Sequence, residues 1–261
     1  APYGNPSIVE KGATERFIAL THERYAKAMP ALFGNPLRVA FTDEPDRPRG
    51  QPGVSLGWTA DFADVFKARK GYDLVPHAKE MLERAAETDD RLAKLRIDYE
   101  DVMADLVVER YFNPIRSWCA AHGMLSGGHV NGEDEPEAAE GRGHGHLLRT
   151  LRALDVPGVD AIWRQLFPSK DPSVCAKPFP RYASSVAHQE GRPYALSESF
   201  GIYGDSTSPE EIKWTVDTQL VRGINTFVFG YYNQSNARHW MLLFEPHSGP
   251  VAPYWEMEGQ L

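Results

Sequence analysis

Three glutamates stand where this sequence could use them for acid–base chemistry: Glu44 in Asp43-Glu44-Pro45, Glu133 in Asn131-Gly132-Glu133, and Glu198 in Ser197-Glu198-Ser199. Each lies at or just past the end of a short apolar segment that reads as a strand. A carboxyl group gives up a proton usefully when burial or a like charge raises its pKa, and accepts one when it is ionised. Two such groups across a glycosidic bond suffice for hydrolysis: one protonates the leaving oxygen, and the other activates water or attacks the sugar. A lone glutamate after a strand is more often a solvated loop residue or a helix cap. That ordinary reading holds for Asp134, Glu135, Glu137 and Glu140. Three glutamates at equivalent strand ends are harder to obtain by accident.

Other chemistries find less support. There is no GxSxG elbow, P-loop or HExxH pair, and Gly201-Ile202-Tyr203-Gly204 lacks the GxGxxG register. His144 and His146 sit close in sequence, but zinc wants three or four ligands at recognisable spacing. A metal-dependent hydrolase using His129, His144 and His146 is therefore a minor reading, and no metal ligand is assigned. His129 lies on a strand candidate beside Glu133 and is a partner for a sugar hydroxyl. Sugar rings stack on aromatic faces, and their hydroxyls need polar partners. Trp58, Trp163, Phe200, Tyr203, Tyr231, Tyr232, Asn233 and His239 are candidates for such contacts, with Asp43 and Asn131 beside the glutamates. Trp163 and Phe200 could equally be packing residues.

The elements that would position these groups alternate. Gly12 to Met29 carries an apolar helical face. Leu37 to Thr42 reads as a strand, and Thr59 is a candidate cap for a helix ended by Gly71. A long helical pattern runs from Arg91 to His122, with a kink expected at Pro114 and an end at Gly123. Met124 to Val130, Val159 to Trp163, Tyr194 to Ser197 and Ile224 to Gly230 are strand candidates. Tyr182 to Glu190 and the segment opened by Ser208-Pro209-Glu210-Glu211 are helices, the latter with a full capping box. Strands separated by helices predict a parallel α/β sheet. The expected architecture is a (β/α)8 TIM-type barrel, read as one catalytic domain over residues 1–261. Only about five of the eight strands are visible, so either strands are overlooked or the barrel is incomplete at the N-terminus. A barrel lacking strands exposes sheet edges, and self-association is the expected compensation.

Composition narrows the classes further. The chain has 261 residues, 42% hydrophobic and 25% charged, with a formal net charge of −8, which are globular values. No basic stripe suggests a nucleic-acid partner, and no run of about 18 apolar residues suggests a membrane span. Residues Ala1 to Lys11 contain no apolar leader. A leader already removed would leave the same sequence, so the compartment is open. Cys119 and Cys175 form no framework and are expected to be reduced thiols.

The sequence resembles the catalytic barrel of bacterial glycoside hydrolases akin to family 106, the α-L-rhamnosidase family. The matching stretches run in order: Thr21-His22-Glu23-Arg24-Tyr25, Phe41-Thr42-Asp43-Glu44-Pro45, Lys70-Gly71-Tyr72-Asp73-Leu74, Gly128-His129 with Asn131-Gly132-Glu133, Val156-Pro157-Gly158-Val159-Asp160, Leu196-Ser197-Glu198-Ser199-Phe200-Gly201, and Gln219-Leu220-Val221-Arg222-Gly223-Ile224-Asn225. The resemblance implies a (β/α)8 barrel, two catalytic carboxylates, a glycoside substrate and inversion at the anomeric carbon. It implies Glu44 as acid and Glu198 as base, with the exchanged roles open, and Glu133 as a third carboxylate or sugar contact. No cofactor is required. Some relatives hold calcium, which takes several hard oxygens. The acidic loop could supply them, but its spacing identifies no site. Relatives are much longer and carry strands upstream of Gly12, so a carbohydrate-binding or scaffold barrel without turnover is the alternative.

Overall fold

The computed structural model describes residues 7–47, 56–82, 89–135, 144–168, 178–203 and 207–230. Within them the chain is an α/β protein with five strands in the order β1-β2-β3-β4-β5: β1 Val39–Thr42, β2 Leu125–Gly128, β3 Val156–Ala161, β4 Leu196–Ser199 and β5 Thr226–Phe229. The pairs β2–β3, β3–β4 and β4–β5 are parallel. Two compact units divide the chain, Ala1–Ser126 with Val130–Leu154, and Gly127–His129 with Asp155–Leu261.

The first unit is helical around β1 and the start of β2, whose Leu125 N–H donates to Arg38 O at 2.9 Å. After the short α4, Ala78–Leu82, its centre is α5, Asp90–Val107, which buries Leu92, Leu95, Tyr99, Val102, Met103 and Leu106. Each such side chain contributes roughly 2 kcal/mol when fully buried. Phe62 and Phe66 of α3, Phe62–Lys70, are fully buried, and the Phe62 and Tyr99 rings meet edge-on at 5.2 Å. Thr59 does not cap α3, whose N-cap position is Asp61. The Thr59 hydroxyl instead donates to Glu10. Asp61 receives both arms of the Arg110 guanidinium, at 2.8 and 2.7 Å.

Two helical readings change in detail. The Gly12-to-Met29 pattern is two helices, α1 Ala13–Leu20 and α2 His22–Ala28, broken at Thr21. The Thr21 hydroxyl donates back to Phe17 O at 2.7 Å, a local bond that competes with the helical ladder. The long pattern from Arg91 passes Pro114 through a π-helical turn, Val108–Phe112, before α6 begins at Asn113. Proline lacks an N–H, and the wider turn just before it absorbs the mismatch.

In the second unit, α8 Pro180–Gln189 lies on the sheet, after α7, Leu147–Arg152, in the first unit. Val159 and Ala161 of β3 pack with Ala183, Ala187, Ala195 and Ile224. Small alanines allow the helix a close approach. The last helix, α9 Pro209–Leu220, starts with the expected capping box: Glu211 N–H donates to Ser208 Oγ at 3.2 Å, and Ser208 N–H to Glu211 Oε2 at 3.0 Å. Gly158 permits a close contact within the sheet. A Cβ there would stand 2.5 Å from Gly128 O and 2.8 Å from Leu196 Cδ2. Strand β4 lies further along than its sequence suggests, so Glu198 is inside it rather than past its end.

Candidate active site

Register decides which groups share a face in the second unit. Gly158 pairs with Leu196, and Asp160 with Glu198, which in turn pairs with Val228. Side chains alternate along a strand. Since Val159 and Ala161 face the helix layer, Asp160 and Glu198 share the opposite face. Parallel sheets carry their functional groups at the C-terminal ends of the strands, which is where both acids sit.

Glu198 has a defined partner. Its Oε2 lies 2.8 Å from His129 Nε2, with side-chain exposures of 15% and 1%. An ionised carboxylate only accepts, so Nε2 must carry the hydrogen. The bond holds one carboxylate oxygen in place. On the opposite face of β4, Ser197 and Ser199 are fully buried, their hydroxyls 3.0 Å apart. Gln219 of α9, also fully buried, donates from Nε2 to Ser199 Oγ at 3.1 Å. Buried polar groups must find partners, and this set ties the outer face of β4 to α9 directly behind Glu198.

The first unit holds the other two predicted carboxylates. Glu44 is exposed, in the left-handed region at φ 40°, and accepts from Asn131 Nδ2 at 3.3 Å. Asp43 beside it is exposed. Glu133 is buried and turns back on its own loop, its Oε1 accepting the Val130 N–H at 3.0 Å. Of the acidic loop expected to offer calcium oxygens, Asp134 and Glu135 join no cluster of metal-ligating side chains among the described residues. Glu137 and Glu140 lie outside those residues.

The aromatic candidates separate. Trp58 packs on Phe62 with ring centroids 4.8 Å apart. Phe200 and Tyr203 are buried with Ile212 and Val216, and burial pushes the Tyr203 phenol pKa far up. Trp163 is 57% exposed. Tyr231, Tyr232, Asn233 and His239 lie outside the described residues, as does Cys175, whereas Cys119 is buried. Sequence reasoning did not single out Asp160, the register partner of Glu198. The available signal was a charged residue between Val159 and Ala161 in an otherwise apolar strand.

Backbone strain gathers at the strand ends. All five non-glycine residues with left-handed φ among the described residues are Glu44, Trp163, Arg164, Phe200 and Ile202. They follow the ends of β1, β3 and β4. Such conformations cost about 1–3 kcal/mol each and concentrate at functional sites.

The other two histidines of the zinc reading, His144 and His146, lie in the first unit. His146 caps α7, its Nδ1 accepting the Arg149 N–H at 3.3 Å. His144 is fully buried, and neither ring nitrogen has a hydrogen-bond partner among the described residues. Burial, with Arg47 and His146 adding to it, pushes its pKa from 6.5 down to about 4. Between those values the unfolded chain binds a proton that the folded chain refuses. Stability must therefore fall as pH drops from 6.5 to 4, by about 3 kcal/mol from this group. Urea midpoints at pH 7 and pH 4.5 should show that drop reduced in His144→Phe. An equal drop in both proteins would sink this account.

Comparison with known proteins follows the same lines. The family model for glycoside hydrolase family 106, alpha-L-rhamnosidase, matches residues 8–238. The chain belongs to this family. The ordered motifs of the sequence thus identify its family correctly. A solved structure, the rhamnosidase from Novosphingobium sp. PP1Y, superposes with a TM-score of 0.61 at 19% identity, over 85% of this chain and 20% of that one. At that identity the likeness is one of fold, and the chain spans about a fifth of that rhamnosidase's length. No curated protein matches.

Proposed function

We propose that this chain carries the hydrolytic centre of a glycosidase acting on α-L-rhamnosides, with Glu198 as general base and Glu44 as general acid. The observation that carries the reading is the Glu198 carboxylate at the end of β4, held at 2.8 Å by the buried His129 in a chain of the rhamnosidase family. A carboxylate oriented by a buried imidazole is suited to take a proton from water, so the pairing favours Glu198 as the base. Glu44, more exposed and supported by an amide, is left to protonate the leaving oxygen. With the base delivering water to the face opposite the leaving group, the anomeric configuration inverts. Asp160 shares the face of Glu198 and is placed to bind a sugar hydroxyl. The five strands belong, in this reading, to a (β/α)8 barrel. The reaction needs no cofactor.

A panel of nitrophenyl glycosides tests the proposal. The α-L-rhamnoside should be hydrolysed, and its first-formed product, followed by NMR, should be β-L-rhamnose. A folded protein that binds rhamnosides yet turns none over would favour the binding barrel. Hydrolysis with retained configuration would replace the inverting mechanism.

A further inference from the structure

Trp163 presents its indole to solvent from a backbone built to hold it there. It follows the end of β3, with its own φ at 55° and that of Arg164 at 58°. Neither residue is glycine, so both conformations are paid for by the surroundings. The Trp163 backbone N–H donates to Gly201 O at 3.1 Å, which laces the segment after β3 to the segment after β4. Arg164 anchors the next position: its guanidinium lies 4.5 Å from the centre of the Phe167 ring and pairs with Glu211. Phe167 in turn stacks on Trp214, with centroids 4.8 Å apart. Trp163 thus stands as an exposed indole on a strained, hydrogen-bonded turn, just beyond Asp160, the register partner of Glu198.

Depth assigns the side of the substrate. His129 and Glu198 are buried to 1% and 15% exposure, whereas Trp163 is 57% exposed. The sugar to be cleaved must reach the buried carboxylate, so the leaving group extends outward. The geometry points to Trp163 as a stacking platform for the leaving group, selecting glycosides whose leaving group is itself a sugar or another flat-faced ring. This rests on the glycosidase reading above. An indole offers a flat apolar face to the C–H side of a ring.

Calorimetry on the Glu198→Gln protein, whose turnover is expected to be slow enough for binding to be read, tests the assignment, with L-rhamnose and an α-L-rhamnosyl-glucose disaccharide as probes. The disaccharide should bind about tenfold more tightly than rhamnose, a preference of the size one stacked ring supplies. Adding Trp163→Leu should erase the preference while leaving rhamnose affinity unchanged, and adding Trp163→Phe should restore most of it. Matching circular dichroism and melting of the variants would establish that all are folded. A preference that survives Trp163→Leu, or a parent protein that binds both sugars equally, overturns the platform alone. Failure of the parent to bind either sugar overturns the glycosidase reading and the platform with it.

Discussion

Glu198→Gln should lower turnover of α-L-rhamnosides by about 10²- to 10⁴-fold, the range a positioned general base supplies, with little change in melting temperature. The amide has nearly the shape of the carboxylate, and its carbonyl oxygen can still accept from His129 Nε2, now 2.8 Å from Glu198 Oε2. The strand that carries it stays anchored through Ser197, Ser199 and Gln219. What the variant loses is the capacity to take a proton from water. Sugar affinity, read by calorimetry, should persist, because binding and turnover draw on different properties of the side chain. Wild-type turnover in this variant would remove Glu198 from the mechanism even with the family membership intact. A collapse of binding and melting together would make it a structural residue instead.

Glu44→Gln should behave differently, and the difference depends on the leaving group. An acid is needed in proportion to how poorly the departing oxygen carries negative charge. The variant should therefore cleave α-L-rhamnosyl fluoride or a dinitrophenyl rhamnoside within about tenfold of the wild-type rate. It should lose about 10²- to 10⁴-fold on a rhamnosyl disaccharide. The pattern discriminates between the carboxylates, since loss of the base slows all substrates alike. If Glu44→Gln slows all substrates equally and Glu198→Gln shows the leaving-group dependence, the two roles are exchanged. Little effect on any substrate would leave Glu44 an exposed residue after β1, bonded to Asn131 at 3.3 Å and without a chemical step.

Much of this molecule is legible along the chain because its causes are local. The capping box at Ser208 and Glu211 is one, since both groups fall within a single helical turn. The left-handed glycine after α3, Gly71, is another. Apolar spacing located α5, and short apolar runs located all five strands to within a few residues, because period and propensity are read over one or two turns of chain. The order of short motifs around Glu44, His129, Asp160 and Glu198 was enough to identify the family.

The pairing of His129 with Glu198 was not legible, and it is the contact on which the proposed role of Glu198 rests. The two residues are 69 positions apart. They meet because β2, β3 and β4 align in one particular register across Gly158, where no side chain would fit. A slip of one residue would turn Glu198 to the helix side and Ser197 to the other. The same register places Asp160 beside Glu198. Glu133 shows the converse: like the other two glutamates it follows a strand candidate, yet its carboxylate folds back onto the Val130 amide. The sequence by itself determined which acids and imidazoles are present and which strands end near them. Only the tertiary structure decided which of them pair, because register is set by packing between segments distant along the chain, and no local pattern carries that information.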